Sequence, residues 1–113
     1  MIVSKPPMGW NTWNTFAQNI NEQLILESAQ AMVDTGLKDA GYNYIVIDDI
    51  WALKERDENG RLVPDPEKFP HGMKYVADRV HALGLKFGMY SCAGYLTCAG
   101  YPGSYDYEWI DAQ

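Results

Sequence analysis

The sequence has few cysteines, few basic residues and no long apolar run, and each shortage excludes a class of protein. Two cysteines in 113 residues, Cys92 and Cys98, are too few for a scaffold held together by disulfides. Nine basic residues against fifteen acidic ones give a net charge of −6, which disfavours nucleic acid and anionic membranes as partners. The longest apolar runs are about four residues, whereas a membrane-spanning helix needs roughly 18 or more.

Apolar and aromatic residues are abundant by contrast. Hydrophobic side chains make up 47% of the chain, which is typical of a folded globular protein, and the length allows at most one domain of ordinary size. The first seven residues, MIVSKPP, contain no apolar stretch of signal-peptide length. If Met1 is the native start, we expect a cytoplasmic protein.

The hydrophobic pattern predicts alternating helices and strands. A helix is predicted over residues 21–35, with Asn21 as its N-cap and Gly36 as its stop. A strand that is apolar on both faces follows at residues 42–47. A second helix is predicted over 72–83, a second clear strand over 85–90, and the start of a further helix near Tyr107.

This order indicates an α/β protein built from βα units around a parallel sheet. The connections after the strands are long (51–70 and 91–107) and those after the helices are short, so we expect the functional residues at the carboxyl ends of the strands. The Asn59-Gly60 pair predicts a small β excursion within the first of these connections. The chain is either a small open sheet or a piece of something larger, and the helix-like pattern still running at Asp111 favours the piece.

Two adjacent carboxylates, Asp48 and Asp49, come directly after the first apolar strand. Adjacent strand residues point to opposite faces, so one carboxylate is expected to face the mouth above the sheet while the other braces a loop or caps a helix. A purely structural alternative is loop capping or a salt bridge to a residue such as Arg56. His71 and His81 lie on a different element, so we expect no metal site, and the lack of a glycine-rich phosphate loop after any strand argues against a nucleotide cofactor.

Aromatic side chains gather around the same strand ends. An aromatic face stacks on the C–H face of a sugar, and neighbouring carboxylates accept hydrogen bonds from the sugar's hydroxyl groups. Each ring taken singly is better explained by core packing, but together with the acidic pair the rings favour a carbohydrate ligand. The aromatic residues are Trp10, Trp13, Trp51, Tyr90, Tyr95 and Tyr101.

Four stretches follow one another in order along the chain: PPMGWNTWN, VIDDIW, RDENGRLVPDPEKFPHGMKYVADRVHALGLKFGMYS and AGYLTCAGYPGSYDYEWIDAQ. Together they resemble the opening of the α-galactosidases of glycoside hydrolase family 27, the melibiases, from about Pro6 to Gln113. The resemblance implies a parallel (β/α)8 TIM barrel of which residues 1–113 are the incomplete amino-terminal part, with about the first three βα units. It also implies hydrolysis of terminal α-galactosides with retention of configuration, without a cofactor or a metal.

The resemblance assigns substrate-binding roles to five residues. The galactose-holding positions of the family fall on Trp13, Asp48, Asp49 and Tyr90, with Cys98 at the edge of the pocket. It also implies that Cys98 pairs with a cysteine just after the nucleophile, which this sequence does not contain, and it gives Cys92 no role.

A second disulfide of the family is implied to be absent. Many relatives carry a cysteine directly after the acidic pair, bridged to one early in the first loop. Ile50 and Gln18 occupy these positions here, which suits a reducing cytoplasm.

No catalytic carboxylate is expected within the 113 residues, because the resemblance puts the nucleophilic Asp and the acid/base Asp on later strands, beyond Gln113. Two alternatives stay open. The first is an α-N-acetylgalactosaminidase or β-L-arabinopyranosidase of the same family, and the second is a non-catalytic carbohydrate-binding module. Nothing in the sequence specifies an oligomeric state.

Overall fold

The computed structural model describes residues 4–113. Residues 1–3, part of the amino-terminal stretch MIVSKPP on which the expectation of a cytoplasmic location rests, lie outside the described residues. Three parallel strands form one sheet in the order β1-β2-β3, and the two long helices pack against it and against each other. The strands are β1 (Gly9–Asn11), β2 (Tyr44–Ile47) and β3 (Lys86–Met89), and the helices are α1 (Trp13–Phe16), α2 (Glu22–Asp34), α3 (Gly72–Ala82) and α4 (Glu108–Asp111).

Helix α2 begins and ends where the sequence predicts. The Asn21 side chain accepts a hydrogen bond from the backbone N–H of Leu24 at 2.8 Å, which satisfies one of the free donors of the first turn. Gly36, just past the helix, has a φ of +83°, a left-handed conformation that glycine adopts without steric cost. Ile25, Ala29 and Met32 line the buried face of the helix. Capping and periodicity therefore agree, and the prediction of this helix is confirmed.

Strand β2 is the centre of the sheet, paired in parallel with β1 on one side and β3 on the other. Ile45 and Ile47 are completely buried, whereas Tyr44 and Val46 are only half-buried. The strand is confirmed, but within residues 4–113 the helices cover only one face of it. Right-handed crossovers put successive helices on the same side of the sheet, and the opposite face is the one that lines the interior of a (β/α)8 barrel.

The predictions for the two long connections and for the helix after the second of them are confirmed in part. Residues 57–61 form a tight turn in which Asp57 Oδ1 accepts the backbone N–H groups of Asn59 and Arg61. The predicted β excursion is limited to one antiparallel bridge, between Ala52 and Pro64. Helix α4 starts next to Tyr107, as predicted. Helix α1 was not predicted, because four residues with no buried side chain leave no apolar period to detect.

The arrangement of the described residues is that of consecutive βα units around a parallel sheet. A cluster of buried residues from α2, β2, α3 and their flanks, including Ile25, Ile45, Phe69 and Val76, forms the core between the sheet and the helices. No helix within residues 4–113 has the length and apolarity needed to cross a membrane.

Candidate functional site

All three strands end at the same edge of the sheet, which we call the strand-end edge. In register, Asn11 of β1 lies beside Val46 of β2, and Ile47 lies beside Met89 of β3. The residues that follow these ends carry the predicted site. Trp13 follows β1, Asp48 and Asp49 follow β2, and Tyr90 follows β3, with its backbone N–H bonded to the carbonyl of Ile47 at 2.8 Å.

The Asp48 carboxylate is held at this edge and stays partly exposed. Its Oδ2 accepts a hydrogen bond from Asn11 Nδ2 at 2.8 Å, and its Oδ1 accepts one from the backbone N–H of Asp49 at 2.8 Å. Each carboxylate oxygen can accept two hydrogen bonds, so both oxygens keep a free acceptor position. Asp48 is therefore oriented by the protein and remains able to accept hydrogen bonds from a ligand's hydroxyl groups.

Asp49 has different surroundings, as the alternation of strand residues predicts. Its side chain is buried, with the residue only 4% exposed. Oδ1 accepts the backbone N–H of Ile50 at 2.8 Å, and Oδ2 accepts the backbone N–H of Ala99 at 3.1 Å, across 50 residues of sequence. Asp49 therefore braces the loop after β3 against the end of β2.

Two residues that the sequence reasoning missed, Asn11 and Thr12, connect the predicted ones. The Asn11 side chain donates to Asp48 and accepts from the backbone N–H of Trp13 at 2.9 Å. Thr12 is 1% exposed, and its hydroxyl accepts the backbone N–H of Asp48 at 3.1 Å. Their position directly at a strand end, the place where sites form in parallel α/β folds, is the sequence signal that could have identified them.

Tyr90 and Cys98 lie together at the end of β3. The phenol hydroxyl of Tyr90 contacts Cys98 Sγ at 3.7 Å, and the carbonyl of Tyr90 accepts the indole N–H of Trp51 at 2.9 Å. The hydrogen bond to Cys98 is the main cause that raises the pKa of the Tyr90 phenol, and the charge of Asp49 adds to it. The phenol is therefore neutral at physiological pH, with its O–H directed at Cys98 Sγ and its oxygen able to accept a hydrogen bond.

We expect Tyr90 to ionise above the ordinary pKa of about 10 for a tyrosine. Because the folded pKa lies above the unfolded value, the contribution of this phenol to stability is present at neutral pH and lost as the pH rises through the folded pKa. The difference in ultraviolet absorbance between the unaltered chain and Tyr90→Phe during an alkaline titration measures it. In Cys98→Ala the pKa of Tyr90, measured in the same way, should fall towards 10. An unchanged pKa would contradict the Tyr90–Cys98 contact.

Two of the tryptophans expected to face a sugar belong to the core instead. Trp51 is buried, with its indole N–H bonded to the Tyr90 carbonyl, so it supports Tyr90 and offers no free face. Trp10 lies within β1 and packs against the core cluster. Trp13, which follows β1, keeps an exposed fraction of 38%. Tyr95 is 71% exposed and packs against Tyr105, whereas Tyr101 is half-buried beneath Lys54.

The suggested salt bridge between the acidic pair and Arg56 is wrong. Arg56 binds Asp111, with both side chains about nine-tenths buried. Both cysteines are free thiols, and Cys92 Sγ accepts the backbone N–H of Gly94 at 3.3 Å. Among the described residues, no group of three histidine, cysteine or acidic side chains is arranged to hold a metal ion.

Fold and site together define a parallel βα protein with a carboxylate, an indole and a phenol at the carboxyl ends of adjacent strands. Comparison with known proteins gives the family. The melibiase family model described as alpha galactosidase A matches residues 5–113, so the chain belongs to this family.

Individual relatives are similar over nearly the whole chain. The alpha-galactosidase of Zygotorulaspora mrakii is 61% identical over 108 residues, which cover 96% of this chain and 23% of the relative. Alpha-galactosidase I of Mortierella vinacea superposes with a TM-score of 0.93 at 55% identity, covering 95% of this chain and 27% of that one. The Saccharomyces cerevisiae alpha-galactosidase solved with raffinose gives 0.92 at 55% identity, covering 95% of this chain and 24% of that one.

The chain thus spans about a quarter of the length of these relatives. The prediction that it forms the first βα units of a (β/α)8 barrel is confirmed by these superpositions and by the parallel sheet.

Proposed function

We propose that residues 1–113 are the amino-terminal part of the catalytic barrel of a retaining α-galactosidase and that they form the first wall of its galactose pocket. The observation that carries this proposal is the Asp48 carboxylate, oriented by Asn11 and the Asp49 backbone N–H yet partly exposed at the strand-end edge of a melibiase-family barrel. In this function Asp48 accepts hydrogen bonds from galactose hydroxyls, while Trp13 and Tyr90 form the side of the pocket.

Asp48 and Asp49 do not suit the catalytic roles. A retaining glycosidase needs two carboxyl groups about 5 to 5.5 Å apart on either side of the glycosidic bond, one a nucleophile and one an acid/base. Asp49 is buried against two backbone N–H groups and has no face for an anomeric carbon. From the family resemblance, we propose that both catalytic carboxylates are aspartates on later strands, where one attacks the anomeric carbon and the other protonates the leaving oxygen and then activates water.

A chimera tests the function without assuming any sequence beyond Gln113. The matched 108-residue segment of the Z. mrakii enzyme is replaced by the corresponding residues of this chain. We expect the chimera to hydrolyse an aryl α-galactoside and the 113-residue chain alone to show no turnover above background. Turnover by the short chain would contradict the assignment of roles, and a folded but inactive chimera would contradict the pocket proposal.

The remaining alternatives make different predictions. By family resemblance, residues after Gln113 govern recognition at the sugar 2-position, so the choice among α-galactoside, α-N-acetylgalactosaminide and β-L-arabinopyranoside depends on them. A non-catalytic sugar-binding module would instead bind galactose as the 113-residue chain alone, which calorimetric titration with galactose measures. Among the described residues β1 and β3 each pair along one edge only, which favours a barrel wall over a finished module.

We also propose a cytoplasmic location, with a small galactoside rather than nucleic acid or a membrane surface as partner. The lack of cysteine at Ile50 and Gln18 supports the location, and the net charge of −6 supports the choice of partner. Fractionation of cells that express the protein tests it, and recovery of the protein outside the cytoplasm would contradict it.

A further inference from the structure

One side-chain contact links the segments that follow β1 and β2, and it involves a half-buried lysine outside the predicted site. Lys68 Nζ donates to the backbone carbonyl of Gln18 at 2.8 Å and to the backbone carbonyl of Ile50 at 3.2 Å. Gln18 lies after α1, and Ile50 lies directly after the acidic pair. A single ammonium group thus holds two connections of the strand-end edge together.

The backbone of Lys68 is itself fixed. Its N–H donates to the carbonyl of Asp65 at 3.2 Å, and its carbonyl accepts the N–H of Glu22, the first residue of α2, at 2.8 Å. The next residue, Phe69, is 2% exposed within the core cluster. The ammonium group is therefore extended from a base that the core and α2 keep in place.

The Ile50 peptide needs such support. Ile50 has a φ of +69°, a left-handed conformation that is unfavourable for a β-branched residue. Its N–H is held by Asp49 Oδ1, and its carbonyl is held by Lys68. Because Asp49 also binds the N–H of Ala99, release of the Ile50 carbonyl would loosen both the acidic pair and the loop after β3.

We propose that Lys68 is a positioning residue for the sugar pocket: by joining the Gln18 and Ile50 carbonyls, it keeps Ile50 in its left-handed conformation and so fixes the direction of the acidic pair. Because its ammonium group is bound to these two backbone carbonyls, Lys68 acts through Ile50 in this proposal and not through contact with the sugar. The consequence for sugar binding rests on the proposed function, whereas the consequence for the backbone does not.

The test compares three variants in the chimera. Lys68→Met removes the ammonium group and keeps an apolar stem, and Lys68→Arg restores donors that can reach both carbonyls. Lys74→Met is the matched control, since Lys74 is an exposed lysine of α3 that pairs only with Asp78 among the ion pairs of the described residues. Amide hydrogen exchange at Ile50 and Ala99 is measured together with kcat and KM for an aryl α-galactoside.

We expect Lys68→Met to speed exchange at Ile50 and Ala99 about tenfold or more, with little change in the central strand β2. We expect kcat/KM to fall about tenfold, mainly through a higher KM, since pocket hydrogen bonds act in both the ground and the transition state. Lys68→Arg should restore most of both properties, and Lys74→Met should resemble the unaltered chimera.

Each contrary result has a distinct meaning. Unchanged exchange at Ile50 and Ala99, or an equal rise throughout β2, would overturn the positioning role. Failure of Lys68→Arg to recover exchange would do the same. If the unaltered chimera hydrolyses no galactoside, the exchange data still decide the role of Lys68, and only the proposed function fails.

Discussion

Replacement of Arg56 by methionine is expected to release α4 from the turn at residues 57–61 and to speed amide exchange at Ile110 and Ala112 about 100-fold or more. Arg56 donates to both carboxylate oxygens of Asp111, at 2.6 and 2.8 Å, and to the carbonyls of Gly60 and Gly103, both at 2.8 Å. Loss of one partner from a buried ion pair costs about 3–5 kcal/mol, because the other charge stays buried without compensation. Hydrogen exchange by mass spectrometry or NMR measures the opening directly.

The same ion pair gives α4 a predictable response to acid. The hydrogen bonds from Arg56 lower the pKa of Asp111 below its ordinary value of 3.8. A lowered folded pKa means that the contribution to stability is present above the unfolded pKa and is lost as the pH falls through the folded pKa. We therefore expect protection of α4 to persist at pH 4 and to be lost at lower pH.

Two variants complete the test of this ion pair. Asp111→Asn should reduce protection at neutral pH and remove the acid dependence. Arg79→Met is the control, since exposed Arg79 contacts only the side chain of Tyr75 among the side-chain contacts of the described residues. If α4 exchanges equally fast in Arg56→Met and in the control, the ion pair does not hold this segment.

The elements of the fold that could be predicted were those with both a period and a boundary. Helix α2 combines an N-cap at Asn21 with a stop at Gly36, and β2 has a compact apolar run. Helix α1 has neither feature, because it owes its position to the end of β1 and to Asn11. The link between Arg56 and Asp111 spans 55 residues, and pairing at such distances depends on how the loops pack rather than on local pattern.

The acidic pair could be predicted because its position after an apolar strand is a local feature. The different contacts of Asp48 and Asp49 also follow from a local rule, the alternation of side chains along a strand. The aromatic residues could be predicted less well, since composition does not distinguish Trp13, which is partly exposed, from Trp51, which is buried. Lys68 gave no signal, because its role comes from two backbone carbonyls that the fold brings together.

Asp48→Asn and Asp49→Asn are both expected to weaken galactoside binding in the chimera, but for different reasons. For Asp48, the loss of charge removes charge-assisted hydrogen bonds worth roughly 1.5–3 kcal/mol each, so KM should rise about 10- to 100-fold for each bond lost. Asp48 makes no contact with the loop after β3 among its side-chain bonds in the described residues, so exchange at the Ala99 amide should stay unchanged.

For Asp49, the effect should start from the backbone. Ile50 and Ala99 donate to different oxygens of Asp49, and in an asparagine one of these two positions is an NH2 donor, so one of the two backbone N–H groups loses its partner, at a cost of about 1–3 kcal/mol. Exchange at Ala99 should therefore rise together with KM. Asp78→Asn, on the exposed surface of α3, is the matched control. Michaelis parameters that match the control in both variants would reject the pocket role. Faster Ala99 exchange in Asp48→Asn would contradict the inference that only Asp49 of the pair fixes the loop after β3.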